Sequence, residues 1–130
     1  MPFALAENYW LLYLLYLLLT IAVETPILLL GLSRRHKIPV RLFAGVWLNA
    51  CSYPIVFIVF PALIHGQPTC IIISEIFAPL FECLLFWYAI GRHAPPSRAA
   101  AVRDYTVIVL ANLASFGVGE IMRWDSGLPW

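Results

Sequence analysis

Charged residues are scarce in this chain: of its 130 residues only 12% are Asp, Glu, Lys or Arg, whereas 62% are hydrophobic. A soluble domain carries about 25% charged residues. The mean hydropathy of +0.87 agrees with this shortage of charge. The composition therefore excludes an ordinary soluble domain and predicts an integral membrane protein. It also argues against nucleic-acid binding, because the net charge is only +1 and no extended basic patch exists.

Residue types that commonly perform catalysis or bind cofactors are also few. The three cysteines include no Cys-x-x-Cys pair, which excludes the four-helix thiol oxidoreductases. His36, His65 and His93 lie in loops or near the ends of apolar runs, where axial ligation of a cofactor is not expected. No nucleophile elbow, zinc-protease motif or phosphate loop is present. We therefore predict no enzyme activity and no cofactor, and leave the identity of any metal open.

Four apolar runs are each long enough to cross a bilayer, which takes about 20 helical residues. They are Tyr9–Gly31, Leu42–Ile64, Thr69–Gly91 and Arg103–Met122. Such runs must be helical, because lipid offers no partner for a free backbone N–H or C=O group. The predicted fold is an all-α membrane protein with four transmembrane helices in a single membrane domain.

The positive charges predict how the chain is oriented. Seven of the eight Lys and Arg residues fall in two loops, residues 32–41 and 92–103, which lie on the same side of the membrane. The positive-inside rule places both loops in the cytoplasm and both termini outside. We expect the host to be a bacterial inner (plasma) membrane.

The two halves of the chain resemble each other. Residues 1–66 and 67–130 each contain two spans joined by a basic loop, which predicts two helical hairpins in tandem. The second span of each half carries the pattern Asn-x-x-Ser-aromatic, at residues 49–53 and 112–116. We interpret this as an internal duplication. Repeats of two spans each would be related by a pseudo-two-fold axis along the membrane normal.

Three glutamates lie inside apolar runs that contain no lysine or arginine. They are Glu24, Glu75 and Glu82. An ionisable side chain at membrane depth costs roughly 3 kcal/mol on insertion scales. Acids kept at this cost are candidates for a functional site.

The depths of two of these acids match those of two asparagines. Glu24 and Asn49 each lie seven residues from the basic end of their spans, which at ~1.5 Å per residue is roughly 10 Å deep. Glu82 and Asn112 each lie nine residues from that end, roughly 13 Å deep. Adjacent antiparallel helices would therefore place each acid level with an amide.

These residues form the candidate ion or proton site. Its members are Glu24, Glu82, Asn49 and Asn112, with Ser52 and Ser115 on the same helix faces as the asparagines and Glu75 as an outer step toward Glu82. Carboxyl, amide and hydroxyl oxygens suit a proton or a small oxygen-preferring cation. An alternative is that the acids only join the helices, at ~0.6 kcal/mol per hydrogen bond. Contact with an outside partner is a third interpretation.

Two functions remain open at this point. One is a transporter-like membrane protein that handles protons or a small cation, working as a homo-oligomer. The other is a non-catalytic accessory subunit of a larger respiratory or photosynthetic membrane complex, in which the segment Trp124–Trp130 would bind a partner protein.

The chain is similar to the small multidrug transporters in length, helix number and a first-span glutamate. The acids of span three and the asparagines of spans two and four depart from that family's pattern, so the resemblance is limited to architecture.

Overall fold

The structure, a computed structural model, describes residues 2–93 and 97–126, and its regular elements are all helical. In chain order they are α1 (Pro2–Gly31), α2 (Ile38–Pro54), a π-helical turn (Ile55–Val59), α3 (Phe60–Leu63), α4 (Gln67–Ala89), a 3₁₀ turn (Gly91–His93) and α5 (Arg98–Ser126). Four helical segments are long and apolar enough to cross a membrane: Asn8–Gly31, Ile38–Leu63, Gln67–His93 and Arg98–Asp125. The predicted fold class is confirmed at this level.

The helices extend beyond the predicted spans. α2 begins at Ile38, with Pro39 in its first turn, and α5 begins at Arg98. Ser97 precedes α5, and its Oγ accepts a hydrogen bond from the Ala100 N–H at 3.2 Å, which caps the helix. Hydropathy marks only the part of a helix that matches the hydrocarbon core, so it misses these polar first turns. Residues 127–130, which include most of the predicted docking tail, lie outside the described residues.

The second membrane segment changes its helical geometry where prolines interrupt its hydrogen bonds. The π-helical turn follows Pro54, and Pro61 comes two residues after it. Because Pro61 has no N–H, it cannot donate to the carbonyl of Phe57 one turn earlier. The Tyr9 hydroxyl donates to that carbonyl at 2.9 Å. A side chain of α1 thus satisfies a backbone group that the proline leaves without its usual donor.

The four segments form a bundle in which each packs on two neighbours. α1 contacts α2 and α5, and α4 contacts the same two helices, so α1 and α4 lie across the bundle from each other. Large apolar side chains cover the outside, among them Leu30, Leu63, Leu80 and Ile121. An apolar exterior is the surface expected of a bundle surrounded by lipid.

α1 and α2 approach each other closely at Gly45. A Cβ atom at Gly45 would lie 2.5 Å from Thr25 Oγ1 and 2.9 Å from Thr25 Cα, so only glycine fits there. Small residues at such contacts allow membrane helices to pack closely, because helix association in lipid depends on van der Waals contact. The end of the bundle formed by residues 31–41, 91–93 and 97–103, which carries most of the basic residues, is called the basic end below.

Candidate functional site

Two of the predicted acids lie inside the bundle at the same level. Glu24 on α1 and Glu82 on α4 are each only 1% exposed. Their helices lie across the bundle from each other, so both carboxyl groups reach the interior between α2 and α5. A buried carboxyl group needs hydrogen-bond partners, because its desolvation is otherwise not compensated.

Glu24 receives hydrogen bonds from both neighbouring helices. The Asn49 amide on α2 donates to Glu24 Oε2 at 2.9 Å. The Ser115 hydroxyl on α5 lies 2.5 Å from Glu24 Oε1. Each oxygen of this carboxyl group therefore has one partner, and the partners come from opposite sides.

Glu82 has the same kinds of partner with the helices exchanged. The Asn112 amide on α5 donates to Glu82 Oε2 at 2.7 Å, and the Ser52 hydroxyl on α2 lies 2.6 Å from Glu82 Oε1. We call these six residues the glutamate layer: Glu24, Glu82, Asn49, Asn112, Ser52 and Ser115. The structure thus brings together six of the seven residues of the predicted site.

Both asparagines are held in place by their own helices. The Asn49 amide also donates to the Gly45 carbonyl at 2.9 Å, and the Asn112 amide donates to the Ile108 carbonyl at 3.0 Å. In each case the carbonyl belongs to the residue four positions earlier. Both hydrogens of each amide are thereby used, which fixes the NH₂ group, and not the amide oxygen, toward the acid.

The Ser115 hydroxyl has two acceptors but a single hydrogen. It lies 2.5 Å from Glu24 Oε1 and 2.9 Å from the Asn112 carbonyl oxygen. When it donates to the carbonyl, it can still accept a hydrogen bond from a protonated Glu24. When it donates to Glu24, that acid is satisfied as a carboxylate. The contact therefore accommodates Glu24 with or without a proton.

Glu75 of the sequence hypothesis lies outside these contacts, and so does Thr25, the neighbour of Glu24. Glu75 is half-buried on α4 and makes no hydrogen bond to a described residue, but its carboxyl group interacts electrostatically with Glu120 and with Glu24. Thr25, which follows Glu24, has a buried hydroxyl without a described hydrogen-bond partner and packs against Gly45 instead. It contributes to helix contact and not to the glutamate layer.

Sequence reasoning missed a third buried acid, Asp104, near the basic end. Its side chain is completely buried on α5. Its carboxyl group accepts hydrogen bonds from the Ser33 N–H at 2.6 Å and the Ser33 hydroxyl at 3.0 Å, and it contacts Arg35 Nη2 at 3.3 Å and His36 Nε2 at 2.9 Å. The signal was present in the sequence, since Asp104 is the only acid between residues 83 and 119.

Two arginines of the basic end donate hydrogen bonds to backbone carbonyls at the carboxyl terminus of α1 and just after it. The Arg41 side chain donates to the carbonyls of Leu29, Ser33 and His36, at 2.8, 3.3 and 2.9 Å. The Arg103 side chain donates to the Gly31 carbonyl at 2.7 Å. The last carbonyls of a helix have no partner within it, and cationic side chains satisfy them well. These arginines therefore have a structural role at the end of α1.

In the part of the chain that the structure describes, no three or more His, Cys, Asp or Glu side chains form a group that could hold a metal ion. Comparison of the chain with models of protein families, with curated proteins and with solved structures finds no match. The function is therefore argued from the site alone.

Proposed function

We propose that the chain is a small transporter-like membrane protein that moves protons or a small cation through the glutamate layer. Glu24 and Glu82 are the carriers, and Asn49 and Asn112 orient them. The observation that carries this proposal is the crossed set of contacts, in which each buried acid meets one amide and one hydroxyl from two different helices. An intramembrane ionisable group facing a bundle interior is typical of ion and proton pathways.

The contacts favour a proton over a metal cation. Amide and hydroxyl hydrogens point at both acids, so a cation entering between the carboxyl groups would displace these donors. A proton needs no such rearrangement, because the hydroxyl of Ser115 can accept from a protonated Glu24 while donating to the Asn112 carbonyl. A proton also needs no cavity, which suits a layer closed by direct hydrogen bonds.

An approximate two-fold relation between the halves is part of the proposal. Exchanging Glu24, Asn49 and Ser115 for Glu82, Asn112 and Ser52 reproduces the same four contacts. Both asparagines also bond the carbonyl four residues earlier. Duplication of a two-helix hairpin accounts for this correspondence, with the axis running between α1 and α4 along the membrane normal.

The orientation proposed from the sequence is retained. The basic end would face the cytoplasm of a bacterial inner membrane, and both termini would lie outside. Glu75 and Glu120 would then lie on the outer side of the glutamate layer. Their carboxyl groups interact electrostatically, and Glu75 also interacts with Glu24, so the polar route proposed here leads from Glu75 to Glu24, whereas the sequence interpretation had it lead to Glu82.

The test is proton flux in proteoliposomes under an imposed pH gradient. We expect Glu24→Gln and Glu82→Gln each to reduce the flux strongly, because glutamine keeps the shape but cannot release a proton. Asp125→Asn, an exposed acid on α5, is the matched control and should leave the flux unchanged. If the double variant Glu24→Gln/Glu82→Gln retains the original flux, the proposal is wrong.

The accessory-subunit alternative is favoured by one observation on α1. A run of large apolar side chains near its start is exposed: Tyr9, Trp10, Leu11, Leu14, Leu15 and Leu18. Such a face suits packing against helices of another protein as well as lipid. Native gel electrophoresis after mild solubilisation from the host membrane separates the two functions. A stable hetero-complex supports the subunit, and a homo-oligomer supports the transporter.

A further inference from the structure

The buried hydrophobic residues of the bundle are distributed unevenly about the glutamate layer. Those in the described part of the chain are Leu28, Leu32, Ala44, Leu48, Phe86, Ile108 and Ala111. Six of them lie between the glutamate-layer residues of their helix and the basic end, and the seventh, Leu32, follows α1 within the basic end itself. We call these seven residues the apolar plug. On the other side of the layer the described buried residues are Ser74 and Pro79, both on α4.

The same contrast appears along one stripe of α5. Asp104, Ile108 and Asn112 follow each other at intervals of four and are buried. Ser115 is partly buried, and Gly119 comes four residues after it on the same stripe. A Cβ atom added at Gly119 would meet nothing within 4 Å. The stripe is thus closely packed from the basic end to the glutamate layer and opens beyond it.

Asp104 holds residues of the basic end in place next to the apolar plug. It holds Ser33, Arg35 and His36, which belong to the end of α1 and the loop that follows. The His36 ring in turn meets the ring of Phe86 edge-on, with 5.4 Å between centroids. Phe86 lies one turn after Glu82 on α4, so His36 and Phe86 connect Asp104 to the helix that carries Glu82.

We infer that the bundle interior is open between the end remote from the basic loops and the glutamate layer and is closed between that layer and the basic end, and that Asp104 is the positioning residue that keeps the closure shut. The accessibility rests on packing alone, whereas its meaning for transport rests on the proposed function. A carrier open to one side at a time must close the other, and the apolar plug with Asp104 supplies that closure.

Asp104→Asn is the informative substitution. Asparagine keeps the size of the side chain but has a single acceptor oxygen, and its NH₂ group would face the donors of Arg35 or His36. The loop then loses its common acceptor, and Phe86 loses the support of His36. Asp104→Asn does not change the side chains of the apolar plug. Any increase in reagent access to the plug therefore results from loss of the Asp104 contacts.

The experiment measures thiol labelling in proteoliposomes with a membrane-impermeant maleimide added from one side at a time. The native cysteines are first replaced: Cys51→Ala, Cys70→Ala and Cys83→Ala. Gly119→Cys then reports on the open side and Ile108→Cys on the plug, both on the same stripe of α5. Arg34→Cys, in the exposed loop of the basic end, controls for reagent access from that side.

Labelling of Gly119→Cys is expected only from the side remote from the basic loops. Ile108→Cys is expected to stay unlabelled from the basic side while Arg34→Cys reacts. Adding Asp104→Asn should raise the labelling of Ile108→Cys from the basic side by at least about tenfold, because loss of a buried charged hydrogen-bond acceptor favours local opening. If Asp104→Asn protein is not monodisperse, His36→Ala is the second variant and should act in the same direction.

Three results would overturn the inference. Ile108→Cys could react as fast as Arg34→Cys with Asp104 intact, Gly119→Cys could resist labelling from both sides, or Asp104→Asn and His36→Ala could both leave the labelling of Ile108→Cys unchanged. None of these readouts involves flux. One-sided labelling together with absent proton flux would therefore contradict the proposed function and leave the closure standing.

Discussion

The two ends of α5 carry acids in contrasting surroundings. Asp104, near the basic end, is completely buried and shared by Ser33, Arg35 and His36. Glu120, near the other end, is partly exposed and pairs with Arg123 on its own helix. The first acid joins separate elements of the bundle, whereas the second satisfies a neighbour one turn away. At the basic end a buried acid therefore connects α5 to the residues after α1, which the acid at the other end does not do.

This difference matters because lipid does not drive apolar helix faces together as water does. Membrane helices associate through close packing and hydrogen bonds between them. The basic half of the bundle has both, in the apolar plug and in the contacts of Asp104. The other half has aromatic contacts between α1 and the second segment, such as Tyr13 with Tyr53 at 5.4 Å between centroids, but its described buried residues are only Ser74 and Pro79.

The largest effect is expected from Asp104→Ala. It leaves the Ser33 N–H, Arg35 and His36 without their shared acceptor, and breaking a buried charged pair costs about 3–5 kcal/mol. Glu120→Ala is the matched change at the other end, and loss of an exposed i,i+3 pair costs about 0.5 kcal/mol. Unfolding of the detergent-solubilised protein by SDS titration measures both. Equal losses in the free energy of unfolding would remove the contrast between the ends.

A smaller but still large effect is expected from Phe86→Ala. Phe86 is 1% exposed within the apolar plug, and truncation of a buried phenylalanine costs about 3 kcal/mol. Phe77 on the same helix lies in the other half and contacts Phe60 and Phe81, with 4.9 Å between centroids in each pair. Phe77→Ala should cost only about 1 kcal/mol, the value of such aromatic contacts. A larger loss at Phe77 than at Phe86 would contradict the unequal packing of the two halves.

Much of the glutamate layer was predictable from residue spacing. Four membrane-length helices follow from the apolar runs, and equal depths placed Glu24 with Asn49 and Glu82 with Asn112. The serines were expected only to share a face with the asparagines. Sequence spacing along one helix cannot show which neighbouring helix a side chain reaches, so it did not reveal that Ser52 contacts Glu82 and Ser115 contacts Glu24.

Asp104 was missed for a different physical reason. A carboxylate among arginines at the start of a span suits a solvated ion pair, and nothing in the local pattern distinguishes that from a buried anchor. Its burial depends on the loop after α1 folding back over α5, which brings together residues about 70 positions apart, as in the Ser33–Asp104 separation of 71. The role of Tyr9 toward the Phe57 carbonyl is similarly long-range, with a separation of 48 residues.

Two glycine substitutions should differ in the sign of their effect. Gly45→Ala places a Cβ 2.9 Å from Thr25 Cα, so α1 and α2 must move apart, at about 1–3 kcal/mol for overpacking. Gly117→Ala meets nothing within 4 Å and should stabilise α5 by up to about 1 kcal/mol, the propensity difference between glycine and alanine. SDS titration of both variants checks this. Destabilisation by Gly117→Ala would show that the half beyond the glutamate layer is more tightly packed than the structure indicates.

The smallest effects on stability are expected within the glutamate layer, from Ser52→Ala and Ser115→Ala. Each removes one hydrogen bond to an acid that keeps its asparagine, at about 0.6 kcal/mol on average for membrane proteins. Because the two serines bind different acids, the stability losses of the two substitutions should be close to additive in the double variant.

The effects of the two serine substitutions on proton flux should differ, since only Ser115 has a second described acceptor, the Asn112 carbonyl, that lets it exchange donor and acceptor roles. Flux that falls more for Ser115→Ala than for Ser52→Ala, at equal cost in stability, would assign the proton step to Glu24. If both variants have the same flux as the unmodified protein, these hydrogen bonds join the helices and take no part in transport.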